Sequence, residues 1–514
     1  MNGAESLLGT LTGAGVTVCF MNPGTSEIHF VAALDHAPLM RGIPCLFEGV
    51  ASGAADGYAR MTGKPACTLV HLGPGLTNAL ANLHNACRAR VPLINIVGDH
   101  ATFHRRFETP LASDIAILAR PYSAWLRCSE SAIAVGRDCA EAIAAARKAP
   151  GGIATLILPA DTAWGDDGAI AEVPPMSAPP LPDSARIARA AELIQRGRRV
   201  GLLLGASLTV GRPLATAGQI AAKTGVKLLA PFAFTRIERG AGRPTVERIA
   251  YVTEQAIEQL SAYDALILVG APPPVAFFGH PRKPSVLTAE GTEVFALSTP
   301  LEDGAAALAA LAEELNADDA QPVLQPLVRP QLPTGEITLE GLAAVVGALL
   351  PENAIVVDES ITSGRGMLAA TASGPPHDWL VNTGGSIGIG LPLAVGAAVA
   401  CHDRPVLCLE ADGSGMYTLQ ALWTAARESL NITTVIFANR AYAILKGELA
   451  GAAANSGPKA LGMLEIGQPD IDWVSLARSM GVPATKVFTL DAFATALSRG
   501  LESEGPTLIE VPIG

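Results

Sequence analysis

The stretch Val406-Leu407-Cys408-Leu409-Glu410-Ala411-Asp412-Gly413-Ser414-Gly415-Met416-Tyr417 decides how the rest of the 514-residue chain is read. Its opening run is apolar and short, as a buried strand is. A glycine-bearing turn follows, and the next eleven residues, to Glu428, have helical character. A flexible turn that opens a helix offers backbone N–H groups and the positive end of the helix dipole to an anion. Asp412 would then stand beside that anion, which is unfavourable unless a cation bridges the two. Mg²⁺ suits the position, because it takes oxygen ligands in near-octahedral geometry, typically one or two from protein and the rest from phosphates and water. The next apolar run, residues 433–438, supplies a second oxygen at its end: Asn439, 439 − 412 = 27 residues on. Singly, Asp412-Gly413 is a turn and Asn439 a strand-end cap. The spacing joins them into a candidate metal site.

Outward from this stretch the same pattern repeats. Short apolar runs at 66–71, 92–97, 154–158, 200–204, 265–269, 354–357, 406–409, 433–437 and 507–511 alternate with alanine-rich helical stretches, which signals parallel βαβ units. Proline-rich stretches at 173–182 and 322–333 read as linkers. With the usual domain size, the expected fold is α/β, in three doubly wound domains with parallel sheets: residues 1–170, 184–317 and 334–514. Ligands in such sheets sit at the carboxyl ends of strands, at a switch point.

Composition narrows the function class. Hydrophobic residues make up 49% and charged ones 16%, which points to packed cores rather than disorder. A net charge of −12 without a basic patch argues against nucleic acid as a partner. The N-terminus has no basic segment leading into an apolar run, and no stretch is apolar for long enough to cross a bilayer, so a cytoplasmic, non-membrane protein is expected. The eight cysteines form no C-x-x-C pair or zinc-spaced cluster and read as reduced core thiols.

Asp412-Gly413-Ser414, a helix, a strand and then Asn439 resembles the cofactor motif of thiamine diphosphate-dependent enzymes, with Ala411 where that family generally has glycine. The resemblance implies that Asp412, Asn439 and the carbonyl of Ala441 ligate Mg²⁺. It also implies that Gly413, Ser414, Tyr417, Thr362 and Ile444 contribute to the cofactor site. Thr383-Gly384-Gly385-Ser386-Ile387-Gly388 resembles the family segment that supports the bent cofactor, with the carbonyl of Gly385 accepting from its amino group and Ile387 wedged between its rings. The stretch Phe47-Glu48-Gly49-Val50-Ala51-Ser52-Gly53-Ala54-Ala55-Asp56-Gly57-Tyr58-Ala59-Arg60 resembles the family's acid-bearing segment. Glu48 would hold a proton against the aminopyrimidine ring, and apolar neighbours would raise its pKa if it is buried. In this family the two domains that clamp one cofactor come from different subunits, so a homodimer or homotetramer is implied.

The whole chain resembles benzoylformate decarboxylase and the acetolactate synthase large subunit. Thr25 or Ser26, in Asn22-Pro23-Gly24-Thr25-Ser26-Glu27, matches a substrate-carboxylate contact, with the register favouring Thr25. His71 matches a catalytic histidine of the decarboxylase, while Gly73-Pro74-Gly75-Leu76-Thr77-Asn78 is more like the synthases. His280 falls near a second decarboxylase histidine, and His100 and His104 could line the same cleft. Ile444, Leu445 and Glu448 fall where the acceptor pocket is lined, and Glu448 replaces an aromatic. An acid there disfavours a flat apolar substrate such as benzoylformate. The implied activity is addition of the cofactor's ylid to a 2-oxo acid followed by loss of CO₂, as a decarboxylase or as an acyloin-forming transferase of the acetolactate synthase type. FAD is not expected, since residues 186–314 carry no nucleotide fingerprint. Two rivals are a non-catalytic cofactor-binding paralogue, which would not need Glu48, and a nicotinamide dehydrogenase, for which no G-x-G-x-x-G is present.

Overall fold

All nine apolar runs form strands in the computed structural model, which describes residues 1–197, 199–281, 283–451 and 457–513. The first sheet has six parallel strands: β1 (Val18–Asn22), β2 (Arg41–Pro44), β3 (Ala66–Val70), β4 (Leu93–Asp99), β5 (Trp125–Cys128) and β6 (Ile153–Pro159), in the order β2-β1-β3-β4-β6-β5. Every residue of β3 and β6 is buried, as expected of central parallel strands covered on both faces. The chain leaves β1 toward β2 on one side and then crosses to β3 on the other. The ends of β1 and β3 therefore form a switch point, the place where ligands generally bind in such sheets.

The other parallel strands of the same compact unit are β13 (Ile355–Glu359), β15 (Val406–Ala411), β16 (Ile432–Ala438), β17 (Ala484–Lys486) and β18 (Thr507–Pro512), ordered β17-β18-β16-β15-β13. This unit comprises residues 1–176, 330–371 and 382–514. Its two sheets meet through helices. Helix Glu48–Thr62 lies against helix Gly390–Ala400 with almost no space between the backbones. A Cβ on Gly57 would sit 2.2 Å from the Leu393 carbonyl oxygen, and one on Gly396 1.9 Å from that of Ala54. Beside this contact Arg60 and Asp56 form a bidentate ion pair, both side chains fully buried, and Arg60 also donates to Thr383 Oγ1 at 3.0 Å.

The second unit comprises residues 177–329 and 372–381. Its parallel sheet is built from β7 (Val200–Leu204), β8 (Lys227–Ala230), β10 (Glu247–Arg248), β11 (Ala265–Val269) and β12 (Glu293–Ser298), in the order β10-β8-β7-β11-β12. Its core gathers Leu202, Leu204, Ile267, Val269 and Leu297. Here β9 (Ile237–Arg239) pairs antiparallel with β14 (His377–Val381). An ion pair of 2.6 Å between Arg236 and Asp378 fastens the two segments.

The cysteines are free thiols, five of them buried, and burial pushes the Cys45 thiol up to about 12. Among the described residues no helix is long and apolar enough to cross a membrane.

Candidate active site

At the first switch point, the turn after β1 carries Glu27 back under the sheet edge, where it is 1% exposed. Its carboxylate accepts from the Gly24 N–H at 2.7 Å and the Ser26 hydroxyl at 2.7 Å. It lies 2.7 Å from Nδ1 of His71, which stands at the end of β3. A carboxylate can only accept, so in this pair Nδ1 is the donor. The imidazole is fixed in place twice more. A Cβ on Gly24 would fall 2.3 Å from Nδ1, so only glycine leaves room for the ring. Leu72, the next residue, has φ of 50°, a left-handed conformation that costs a branched side chain about 1–3 kcal/mol and marks a constrained turn. Thr25 is exposed and Ser26 half-buried, its hydroxyl 3.3 Å from His71 Nδ1.

Glu48 opens helix Glu48–Thr62 and is 7% exposed. The Asn78 amide donates to its Oε2 at 3.0 Å. A Cβ on Gly75 would sit 3.0 Å from Glu48 Oε1 and 3.3 Å from the Cβ of His71, so the acid and the imidazole border the same glycine. His100 lies on the loop after β4 with its Nε2 2.9 Å from Thr109 Oγ1, and its ring is 5.7 Å from that of His104.

At the second sheet, Ala411 has an extended backbone (φ −92°, ψ 148°), so no glycine is required where the family generally has one. The long helix expected to Glu428 is corrected to a short helical turn, Asp412–Gly415, and a separate helix, Ala421–Arg427. Between them the backbone runs on in tighter turns, Thr418 N–H bonding to the Gly415 carbonyl and Ala421 N–H to that of Thr418, while the Thr418 hydroxyl donates to the Gly388 carbonyl at 2.8 Å. Asp412 is 2% exposed; its Oδ1 accepts from Gly413 N and its Oδ2 from Arg440 N at 2.7 Å, and burial raises its pKa. Register pairs Ala411 with Phe437, so Asp412 and Asn439 leave neighbouring strands side by side. Arg440, at φ 56°, turns the chain so that Ala441 N donates to Asn439 Oδ1 at 3.0 Å.

A Cβ on Gly413 would meet the Tyr442 ring at 2.8 Å. The Ser414 hydroxyl points inward to Glu410 and the Ala411 carbonyl. Tyr417 is exposed. Ile444, Leu445 and Glu448 lie on helix Ala443–Gly451, none of whose described residues is buried. Among the described residues no group of three or more His, Cys, Asp or Glu side chains could hold a metal. A cation at Asp412 and Asn439 must draw its other oxygens from backbone, phosphate and water, which fits a magnesium diphosphate and not a zinc site.

Segment 382–390 crosses between the two sheets. Gly385 is exposed at φ 79°, its N–H on Asn382 Oδ1 at 2.7 Å, and Ile387 is half-buried. Buried Glu359, at the end of β13, accepts from Gly388 N, Gly390 N and Asn382 Nδ2. Its strand partner is Glu410. Burial pushes Glu359 up to about 7, and burial together with Glu359 raises Glu410 well above the usual carboxylate range. Thr362 is half-buried in the turn after β13. His280 lies in the second unit, on the loop after β11, where Lys283 pairs with Glu254 at 2.6 Å and lowers the pKa of that carboxylate. Sequence reading passed over Glu27, Asn78, Glu359 and Glu410; for Glu359 and Glu410 the available signal was an acid at the end of an apolar strand run, as in Cys408-Leu409-Glu410.

Residues 1–115 match the thiamine pyrophosphate enzyme N-terminal TPP binding domain, and residues 364–511 match the C-terminal TPP binding domain. The chain is 53% identical over 516 residues to a Mycobacterium tuberculosis protein provisionally assigned as the acetolactate synthase large subunit IlvX, covering 100% of this chain and 99% of that one. The chain belongs to the thiamine diphosphate-dependent enzymes. A benzoylformate decarboxylase of Pseudomonas aeruginosa is 29% identical, over 97% of this chain and 96% of the relative. Among solved structures, a 4-hydroxybenzoylformate decarboxylase of Rhodococcus jostii RHA1 superimposes with a TM-score of 0.86 at 26% identity, covering 100% of this chain and 99% of that one. Of the residues brought together above, Thr25, Glu27, Glu48 and His71 fall inside the N-terminal family match. Gly385, Ile387, Asp412, Asn439 and Ala441 fall inside the C-terminal one.

Proposed function

We propose that this protein uses thiamine diphosphate and Mg²⁺ to decarboxylate a 2-oxo acid, with Glu48, His71, Asp412 and Asn439 as its working residues. The observation that carries the reading is Glu48, a buried carboxyl held by Asn78 and sharing Gly75 with the Glu27-braced His71. When bound, the cofactor supplies a carbanion that adds to the 2-oxo carbonyl and accepts the electron pair left by departing CO₂. Asp412, Asn439 and the Ala441 carbonyl would hold the metal, and the backbone N–H groups of the turn after Asp412 would receive the diphosphate. Gly385, Ile387, Thr362, Tyr417 and Ile444 complete the cofactor's seat. Glu48 keeps a proton on the aminopyrimidine ring, a role that requires a carboxyl out of water. Thr25 or Ser26 receives the substrate carboxylate, and Nε2 of His71 moves protons at the reacting oxygen or carbon; His280 is the candidate for a second such group.

Leu445 and Glu448 border the substrate side chain, and the acid at 448 disfavours a second anionic acceptor. That favours protonation and release of an aldehyde over acyloin formation, although relatives of both kinds match the chain. The active unit is a homodimer or a larger homo-oligomer, and no FAD takes part. A panel of 2-oxo acids offered to the purified protein, following CO₂ and acyloin together, separates the two outcomes. Glu48→Gln is expected to lower turnover by about 10²-fold or more while cofactor still binds, whereas Asp412→Ala loses the cofactor, read as thiochrome fluorescence of the denatured protein. Wild-type turnover in Glu48→Gln overturns the assignment.

A further inference from the structure

The peptide between Gly385 and Ile387 is gripped by a side chain from the first sheet's helices, and that grip rests on nothing in the metal loop. Asn85, in helix Leu72–Ala89, is 0% exposed. Its Nδ2 donates to the Ser386 carbonyl at 2.8 Å, and its Oδ1 accepts from the Ser386 N–H at 3.2 Å. The carboxamide thus pairs with both polar atoms of one residue, as a neighbouring strand would. Its second amide hydrogen goes to Asn82 Oδ1 at 3.0 Å, and its own backbone carbonyl accepts from Thr383 Oγ1 at 2.8 Å. Asn382 also donates to the Ser386 carbonyl at 2.8 Å, and His84 Nε2 lies 3.0 Å from the Gly384 carbonyl. A Cβ on Gly384 would stand 2.6 Å from Asn85 Oδ1, so the loop is drawn in as far as a glycine allows.

Only a carboxamide offers a donor and an acceptor in one plane at this reach. An aspartate loses the donor, and an aliphatic side chain loses both while leaving the Ser386 N–H and carbonyl to be satisfied elsewhere. Asn78 and Asn85 are seven residues apart, two turns on one face, about 10 Å along the helix. One rigid helix therefore carries the amide that holds Glu48 and the amide that holds the 384–387 loop.

We propose that Asn85 is a positioning residue for the cofactor, fixing the Ser386 backbone so that the Gly385 carbonyl and the Ile387 side chain meet the cofactor already in place. This rests on the thiamine diphosphate reading of the site. The test titrates thiamine diphosphate with Mg²⁺ into the full-length apoprotein, following the cofactor-induced rise in Tm and the dissociation constant from tryptophan fluorescence. Asn85→Ala and Asn85→Asp are each expected to weaken binding by about 10- to 100-fold, the equivalent of one or two lost hydrogen bonds. Asn95→Ala is the control. Asn95 is as deeply buried, bonded to Thr68 and Thr155 in the first sheet, and its loss should lower Tm while leaving cofactor affinity intact. Should Asn85→Ala fail to fold, the isosteric aspartate variant carries the same reading. Wild-type affinity in a folded Asn85 variant with lowered Tm makes the residue merely structural and overturns the proposal. No binding by the wild-type protein overturns the cofactor reading itself, a result distinct from either.

Discussion

Glu27 and His71 are 44 residues apart in sequence, yet their side chains meet at 2.7 Å at the switch point of the first sheet. His71 is legible from its place at a strand end before a glycine-rich turn. Its partner is not, because Glu27 reads as one polar residue of a Pro-Gly turn, and nothing local says that the turn folds it under the sheet. The pairing lets Glu27 act through the histidine, by holding one tautomer and one ring orientation. Glu27→Gln is therefore expected to lower kcat/KM by about 10- to 100-fold. Combined with His71→Ala it should cost little beyond His71→Ala alone, because the two residues act as a unit. Steady-state kinetics of the two single variants and the double variant decide this. Losses that multiply would mean that Glu27 acts independently of the imidazole.

Among elements, the central parallel strands β3, β4, β6, β15 and β16 were readable because burial on both faces leaves a continuous apolar run. Edge strands were not: β2 reads Arg-Gly-Ile-Pro and β5 Trp-Leu-Arg-Cys, mixed sequences with one open side. Helix contacts were equally hidden. Gly57 and Gly396 look like poor choices inside helices, since glycine costs about 1 kcal/mol relative to alanine there. Their reason is tertiary: each lets one helix of the Glu48–Thr62 and Gly390–Ala400 pair approach the other's backbone. Replacement of Gly396 by alanine should therefore destabilise rather than stabilise, by about 1–3 kcal/mol or more as an overpacked contact. Thermal or urea unfolding of Gly396→Ala measures it, and an unchanged or raised midpoint would show that the helices can part without cost.

For the molecule as a whole, three mostly parallel sheets follow from strand periodicity, and the proposed cofactor site follows from the Asp412 and Glu48 motifs. The partition into compact units does not. Residues 372–381 join the second unit because β14 pairs with β9, a contact between segments 138 residues apart (377 − 239) that no local pattern announces. Subunit composition is a further property of the whole. If each site takes Glu48 from one subunit and Asp412 from the other, a Glu48→Gln chain and an Asp412→Ala chain are each inactive as homodimers. Their heterodimer holds one site with both substitutions and one site with neither. Co-expression with two different tags and tandem purification should yield heterodimers with about half the wild-type activity per dimer, by the symmetry of two equivalent sites. If Glu48 and Asp412 of a single chain serve the same site, every site in the heterodimer carries one substitution and the purified species stays inactive.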